Sequence, residues 1–567
     1  MDQDSMDMGM DMSMISATLP YTIELLYAAY LCAFVCTAIL FLTLRYHLVH
    51  LLQRVDTPEG SDQNPSPASS PSASAPSTIS PFRLRNSQRT AERLLRINSY
   101  LTNKLSYTPY IGPLFLPAVG TILLGLVFTS IIATVLLLNA DLILNPNRAG
   151  FLALTTVPFS IALANKNSII TALTGISHEK LNRLHRWMAT ATVILATVHM
   201  SLWIDQWRPF VWFLNLQLES TKVIYGLATY STLCLLFLLS LPPIRYRLFR
   251  FFAFLHRLLA LLFLILVCLH TAYAPRFILT GLLLLLLDNL ISYSIKTHLS
   301  RARISILPAR CTRLTLACDL SPRAGHHVYV LVPAVSWWQW HPFTVSAILP
   351  GGKTGGGAFT VHAQAVGRFT ERLYALKDGT ECLAIVAGPY GVPPRVDTYG
   401  AVLLVAGGSG ATFTMGLLKE MMRSVERGGV TKRVEFVWCI SGQAQLAWFR
   451  KDLDTALLST MDTNFSLTIR IFIREEGDDG PVDIGECFQS SGPLKSFDCD
   501  PRVQLVTGRA RAEDVLRGFV GDCAAGEGVC VVACGPSSLV ADVSNAVART
   551  SSLSGPRIDL HCERYSL

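Results

Sequence analysis

Four histidines carry the first chemical signal. His185 and His199 lie in one apolar run and His256 and His270 in another, and each pair is separated by 14 residues. On an α-helix, 14 steps of about 100° bring a side chain back to within about 40° of its start, about 21 Å further along the axis. Each run then presents two imidazoles on one stripe, at two depths. One complete apolar run lies between them, so both run the same way, which sets His185 opposite His256 and His199 opposite His270. Ionisable residues inside a bilayer are rare and costly, and histidines that only hydrogen-bond within a bundle have no reason to repeat a spacing. Two bis-imidazole sites stacked across a membrane suit two b-type haems. The repeated Leu184-His185-Arg186 and Leu255-His256-Arg257 adds two cations, which serve either haem propionates or the positive-inside anchoring of the helices.

The elements that must position these histidines are apolar helices. Of 567 residues, 51% are hydrophobic and only 16% charged, against about 25% charged in a soluble globular chain. The apolar excess sits in the first half, in seven candidate spans at 21–44, 112–138, 150–164 and its continuation, 187–204, 223–241, 251–274 and 277–295. Asn165, Lys166 and Asn167 interrupt the third. Residues 1–44 hold no Lys or Arg, whereas Arg45, Arg83 to Lys104, Lys180 to Arg186, Arg245 to Arg250 and Lys296 to Arg303 flank the spans on one common side. The positive-inside rule then puts the N-terminus outside and the rest of the chain after residue 295 in the cytosol. The net charge of +8 thus reports topology and membrane lipid, and no nucleic-acid partner is expected. The fourteen cysteines fall in spans or on the cytosolic side, so reduced thiols are expected. Residues 60–81 hold eight Ser and five Pro, the composition of a disordered linker or a phosphorylated tether.

From Arg303 the texture changes. Short β-rich runs (327–332, 359–363, 382–387) separated by Gly and Pro predict a small antiparallel barrel. From Tyr399 strands alternate with helices, which predicts a parallel α/β sheet. His341-Pro342-Phe343-Thr344, with Ser346, opens the barrel region. Gly407-Gly408-Ser409-Gly410-Ala411-Thr412 follows a strand and precedes a helix, where glycines let a pyrophosphate approach the backbone and the helix N-terminus. Gly351 to Gly357 reads only as a flexible loop. Cys534-Gly535-Pro536 ends a further strand, its thiol either beside a nicotinamide or buried before a turn.

With these motifs in this order, residues 112–567 resemble the ferric reductase/NADPH oxidase superfamily of flavocytochromes b. The resemblance implies a multi-pass α-helical membrane bundle, then a ferredoxin-reductase-like β-barrel FAD domain and an α/β NAD(P)-binding domain. Its expected organisation is an external tail (1–20), a first transmembrane helix (21–44), a cytosolic linker (45–110), a six-helix ferric-reductase domain with two haems (111–296), an FAD barrel (297–397) and an NADPH domain (398–567). By the same resemblance His341, Pro342, Phe343, Thr344 and Ser346 cradle the flavin, Gly367, Phe369 and Thr370 lie at the FAD phosphates, and Tyr565 covers the flavin, where relatives more often end in Phe or Trp. Gly388-Pro389-Tyr390-Gly391 matches the interdomain stretch, with Gly388 and Pro389 expected at the NADPH. Gly407, Gly408, Ser409, Gly410, Ala411 and Thr412 hold the NADPH pyrophosphate, and Cys534, Gly535 and Pro536 the nicotinamide end, with Arg474 a candidate for the 2′-phosphate.

The resemblance leaves a fork between a metalloreductase of Fe(III) chelates or Cu(II), supporting uptake at the plasma membrane beside a metal permease or transporter, and a superoxide-generating NADPH oxidase. The extra N-terminal span and external tail resemble fungal ferric reductases. Oxidases of this superfamily carry a His one turn after the outer ligand, where this chain has Trp203. A channel with a cytosolic nucleotide sensor is the reading from another class, and it would bind no haem. In the tail, Met6, Met8, Met10, Met12 and Met14 alternate with small or acidic residues. Thioethers are soft ligands that select Cu(I), so the tail is either a copper site at the place of reduction or a plain Met-rich segment.

Overall fold

The computed structural model describes residues 22–56, 81–111, 114–317, 320, 322–349, 357–461, 465–474, 500–523 and 527–564. They form two compact units, residues 1–46 with 125–290 and residues 47–124 with 291–567.

The first unit is helical. Its long helices are α1 (Thr22–Asp56), which continues into the second unit, then, after α2 (Pro81–Leu105) of that second unit, α3 (Val119–Leu137), α4 (Asn147–Ala164), α5 (His178–Trp207), α6 (Thr221–Leu239), α7 (Phe249–His270) and α8 (Ala274–Ser294). Six of these, all but α2 and α4, are long and apolar enough to cross a membrane, so the chain is a multi-pass membrane protein. The expected third span is α4, and it differs from the other six for a physical reason. Ten of its residues are buried, among them Arg148, Thr155 and Thr156. A helix shielded by its neighbours has its polar groups met by protein, so it need not be apolar throughout. Thr155 donates to the Phe151 carbonyl at 2.7 Å, and Thr156 meets Thr192 of α5 at 2.6 Å. α4 packs along α5, and α6 along α7, around Leu154, Val157, Leu233, Leu236, Phe263 and Val267.

In the second unit α2 carries a buried stripe of Ala91, Leu95, Ser99 and Asn103, spaced by four so that one helical face is covered. It is followed by a hairpin of β1 (Tyr110–Ile111) and β2 (Leu114–Phe115). The chain then closes an antiparallel barrel from β3 (Thr297–Leu307), β4 (Cys311–Ala317), β5 (His327–Leu331), β6 (His341–Leu349), β7 (Ala358–Gln364) and β8 (Glu381–Tyr390), in the order β3-β4-β7-β6-β5-β8. The short helix α9 (Arg368–Tyr374) sends Phe369 and Leu373 into the barrel core.

The last part is a six-stranded parallel sheet of order β12-β11-β10-β9-β13-β14. Its strands are β9 (Ala401–Gly407), β10 (Arg433–Ile440), β11 (Ser466–Ile473), β12 (Val503–Thr507), β13 (Val529–Gly535) and β14 (Ile558–Arg564), joined by α10 (Ala411–Glu426), α11 (Arg450–Ser459), α12 (Ala512–Gly521) and α13 (Ser537–Thr550). Every residue of β9 and β13 is buried, as helices on both faces of a parallel sheet require.

The stretch expected as a linker is ordered from Pro81. α2 lies on the parallel sheet's edge and on α13: Asn103 Nδ2 donates to Ser551 Oγ (2.9 Å) and to the Ile558 carbonyl (2.7 Å), and Lys104 Nζ to the Ala548 carbonyl (2.6 Å). Thr108 and Asn545 exchange hydrogen bonds at 2.7 and 2.9 Å. Residues 57–80, with nearly all of the Ser and Pro, lie outside the described residues. All cysteines among the described residues are free thiols.

Candidate functional site

α5 and α7 bring the four histidines together at two levels. The His185 and His256 rings lie 6.5 Å apart, centre to centre, at an interplanar angle of 73°. A metal–imidazole bond is about 2 Å long, so one ion between two imidazoles sets their centres about 6 Å apart. His199 and His270 face one cavity of about 460 Å³ that Gly150, Gly226, Trp203 and Lys222 also line, within the size range of cofactor sites.

The second nitrogen of each ring is held by the protein. His185 Nδ1 lies 2.8 Å from the Ser160 carbonyl, His199 Nδ1 2.9 Å from that of Pro146, and His270 Nδ1 2.9 Å from that of Lys222. A carbonyl only accepts, so Nδ1 carries the proton in all three and Nε2 keeps its lone pair. His256 Nδ1 is 3.4 Å from Ser240 Oγ, whose own proton goes to the Leu236 carbonyl, so here too Nδ1 donates. Metal-ligating histidines are held in this way, Nδ1 fixed and Nε2 free to bind. Two glycines make room for the outer rings. A Cβ on Gly150 would come within 3.0 Å of the His199 ring, and one on Gly226 within 2.7 Å of the His270 ring. The donor set, tautomers and spacing therefore fit two bis-imidazole haems.

The acceptors were not visible in the sequence. Pro146 precedes α4 and Ser160 lies within it, 14 residues on, the mirror of His185 and His199 on the antiparallel α5. Backbone carbonyls carry no residue signature, and only this repeated interval marks them.

In the barrel, β6 presents Pro342 exposed and His341, Phe343 and Thr344 half-buried. The His341 ring stacks on Phe369 at 4.0 Å and 20°, which joins the first predicted flavin stretch to the phosphate stretch. Gly367 is exposed with open space over its Cα. Thr370 Oγ1 accepts from the backbone N–H of Val366 and of Gly367, both at 3.1 Å, and so shapes that loop from below. Ser346 departs from its expected place at the flavin. It is wholly buried, and its hydroxyl is bound to Thr360 and to His362 at 3.0 Å. β6 bulges between Val345 and Ala347, and Ser346 faces away from the barrel core toward Thr360 and His362, on the side where His362 packs against Phe449. His362 accepts there from Arg313; burial first, then the Arg313 and Lys419 charges, hold this histidine well below its usual range, in the neutral form. Gly388, Pro389 and Tyr390 end β8, Gly391 follows it, and Tyr390 packs on His327 and Tyr329.

The glycine turn runs from β9 into α10. Gly408 adopts a left-handed φ of 52° with nothing over its Cα, which leaves the turn open to a phosphate. A Cβ on Gly410 would collide with the Cys534 carbonyl, so the turn and the end of β13 touch backbone to backbone. Cys534 is itself buried, while Pro536 is exposed. Trp438 Nε1 donates to the Gly408 carbonyl at 3.0 Å, a support that sequence reasoning missed because a Trp in a strand reads as core. Arg474 is exposed just after β11. Tyr565 and Met6 to Met14 lie outside the described residues.

Comparison with known proteins finds three matching domains in chain order: a ferric reductase like transmembrane component at residues 149–267, an FAD-binding domain at 302–394 and a ferric reductase NAD binding domain at 399–548. Among relatives, a probable cell surface ferric reductase of Aspergillus oryzae is 29% identical over 57% of this chain and 47% of its own length. Ferric reductase transmembrane component 6 of Saccharomyces cerevisiae is 25% identical, over 75% and 60%. Ferric/cupric reductase transmembrane component 2 of Schizosaccharomyces pombe is 24% identical, over 55% and 63%. The chain thus spans about half to three-fifths of the length of these relatives. The matched domains assign FAD, a nicotinamide nucleotide and b-type haem as cofactors. Bundle, barrel and parallel sheet, each with its matching domain, make this chain a member of the ferric reductase superfamily.

Proposed function

We propose that the protein is a transmembrane metalloreductase that draws electrons from cytosolic NADPH and delivers them to external Fe(III) chelates or Cu(II), in support of metal uptake at the plasma membrane. The observation that carries the reading is the set of four histidines with Nδ1 engaged and Nε2 free, at two levels of one helix pair. His185 and His256 would hold the inner haem, His199 and His270 the outer. When bound, the nicotinamide, flavin and haems supply the chemistry, a two-electron hydride divided into single electrons that cross to the metal. The chain's own groups bind and orient. His341, Pro342, Phe343, Thr344, Gly367, Phe369 and Thr370 form the FAD cradle, with Phe369 and Thr370 acting from beneath. The open turn from Gly407 to Thr412 takes the pyrophosphate at the start of α10. Cys534, Gly535 and Pro536 border the nicotinamide end, Gly388 and Pro389 join the two nucleotide domains, and Arg474 reads the 2′-phosphate. Trp203 in the outer cavity offers no imidazole to reduced oxygen, which favours metal over superoxide as the product. The Met6 to Met14 tail collects Cu(I) outside; titration of the full chain against a Met→Ser variant tests this, and equal Cu(I) uptake by both removes it.

The main test is a reduced-minus-oxidised spectrum of membranes holding the wild-type chain and a His185→Ala, His199→Ala variant. A b-type signal that vanishes in the variant is expected. A signal absent from the wild type, or surviving the double substitution, refutes the reading. Anaerobic reduction of a ferric chelate, with little superoxide formed in air, separates reductase from oxidase.

A further inference from the structure

The N-terminal helix α1 holds an ion pair where few charges are found. Glu24 and Arg148 are 4% and 3% exposed, and Arg148 Nε lies 2.6 Å from Glu24 Oε2. The guanidinium also reaches the Val135 and Leu138 carbonyls at the end of α3, at 3.3 and 3.2 Å, and lies 3.5 Å over the Tyr27 ring. Tyr27, Ala28 and Leu31 continue the buried face of α1. A buried ion pair contributes little to cohesion compared with apolar residues of the same volume, so packing does not explain it. Its position does. Glu24 Oε1 accepts from Asn145 Nδ2 at 3.0 Å while Oε2 takes Arg148. One carboxylate therefore grips the residues on both sides of Pro146, whose carbonyl receives His199 Nδ1. Gly150, which lies under the His199 ring, follows Arg148 by two residues.

We propose that Glu24 and Arg148 are positioning residues for His199: they clamp the 145–148 segment so that the Pro146 carbonyl fixes the tautomer, rotation and basicity of that histidine. The proposal rests on His199 and His270 being outer haem ligands. A hydrogen bond to the non-ligating nitrogen raises ligand basicity and sets ring orientation, and losing such a support typically costs about 10- to 100-fold in metal affinity. The N-terminal helix then tunes the last haem before the external acceptor without touching it.

The test uses the full chain in native membranes, by potentiometric titration and electron paramagnetic resonance of its haem signals. In Glu24→Leu and Arg148→Leu, one of the two haem components should shift in potential and signal shape and lose haem about 10-fold faster, while the other stays at its wild-type position. Glu24→Gln preserves shape and part of the hydrogen bonding, so it should move the same component in the same direction by less. Unchanged potentials and line shapes overturn the proposal, as does an equal shift of both components. If the Leu variants do not accumulate, Glu24→Gln decides by the same criterion. His199→Ala separates the two levels of inference. Loss of one component there with no change in the Glu24 variants refutes positioning alone, whereas an intact spectrum in His199→Ala refutes ligation and positioning together.

Discussion

Substituting Gly226 by Ala tests the outer site with a single methyl group. The new Cβ would come within 2.7 Å of His270 Cε1 and 2.8 Å of Nδ1, whereas carbon atoms at rest sit about 3.5–4.0 Å apart. The ring must retreat by about 1 Å, and it cannot do so and keep its 2.9 Å hydrogen bond to the Lys222 carbonyl, one turn earlier on α6. Overpacking of this kind costs about 1–3 kcal/mol, and the lost hydrogen bond about 0.5–1.5 kcal/mol. The exchange of Gly for Ala inside a helix returns about 1 kcal/mol. The net is about 0.5–3.5 kcal/mol against the ligating geometry, or about 2- to 400-fold in occupancy of the outer site. The assay is haem per mole of purified chain together with the reduced-minus-oxidised amplitude; about half of both should be lost. Gly281→Ala is the control, because its Cβ would meet Ile161 Cδ1 at the same 2.7 Å but no histidine, and the flexible Ile161 end can move. Full haem content in Gly226→Ala, or an equal loss in Gly281→Ala, would refute the argument that these glycines exist to seat imidazoles.

Three further outcomes follow from the second unit. Gly410→Ala drives a Cβ into the Cys534 carbonyl and should raise the KM for NADPH about 10-fold or more, at a cost of about 1–3 kcal/mol, without loss of the b-type spectrum; an unchanged KM counts against the phosphate role of the turn. Asn103→Ala leaves the buried Ile558 carbonyl without its 2.7 Å donor and should lower the stability of the full chain by about 1–3 kcal/mol, seen as a lower melting temperature of the nucleotide-binding part. His326 accepts the Arg323 backbone N–H on Nδ1, and burial first, then the charges of Arg323 and Lys296, bring its pKa down to about 4. The unfolded chain protonates it near pH 6.5, so the stability it contributes is whole above that pH and lost as pH falls toward about 4. His326→Asn, which keeps an acceptor but does not titrate, should flatten that acid limb of a stability–pH curve; an unaltered limb assigns the loss to other groups.

What the sequence made legible depended on where the chemistry resides. The histidine pairs were readable because an imidazole is scarce in an apolar helix, and a spacing of 14 has one geometric meaning. The barrel and parallel sheet were readable from the length of the β-rich runs and from the change to alternating strands and helices. α4 was harder, because its contribution to both histidine levels is made by the carbonyls of Pro146 and Ser160, and any residue type supplies a carbonyl. Ser346 was misplaced because the flavin stretch was matched by residue type, while the pleat of β6 decides which face each residue takes. α2 was missed for a related reason. Its buried stripe includes Ser99 and Asn103 beside Ala91 and Leu95, and a search for apolar periodicity reads the polar pair as solvated. Both are buried and bound to partners at the end of the parallel sheet, Asn103 to Ser551 and Ile558 and Ser99 to Asp559. Polar groups that are buried because a partner awaits them are invisible to hydropathy, and they are the groups that fix one arrangement over others. The Glu24–Arg148 clamp has the same character. Glu24 looks like a charge at the mouth of an apolar span and Arg148 like a charge in the loop before another. Only their meeting around Pro146 gives them a common purpose at His199.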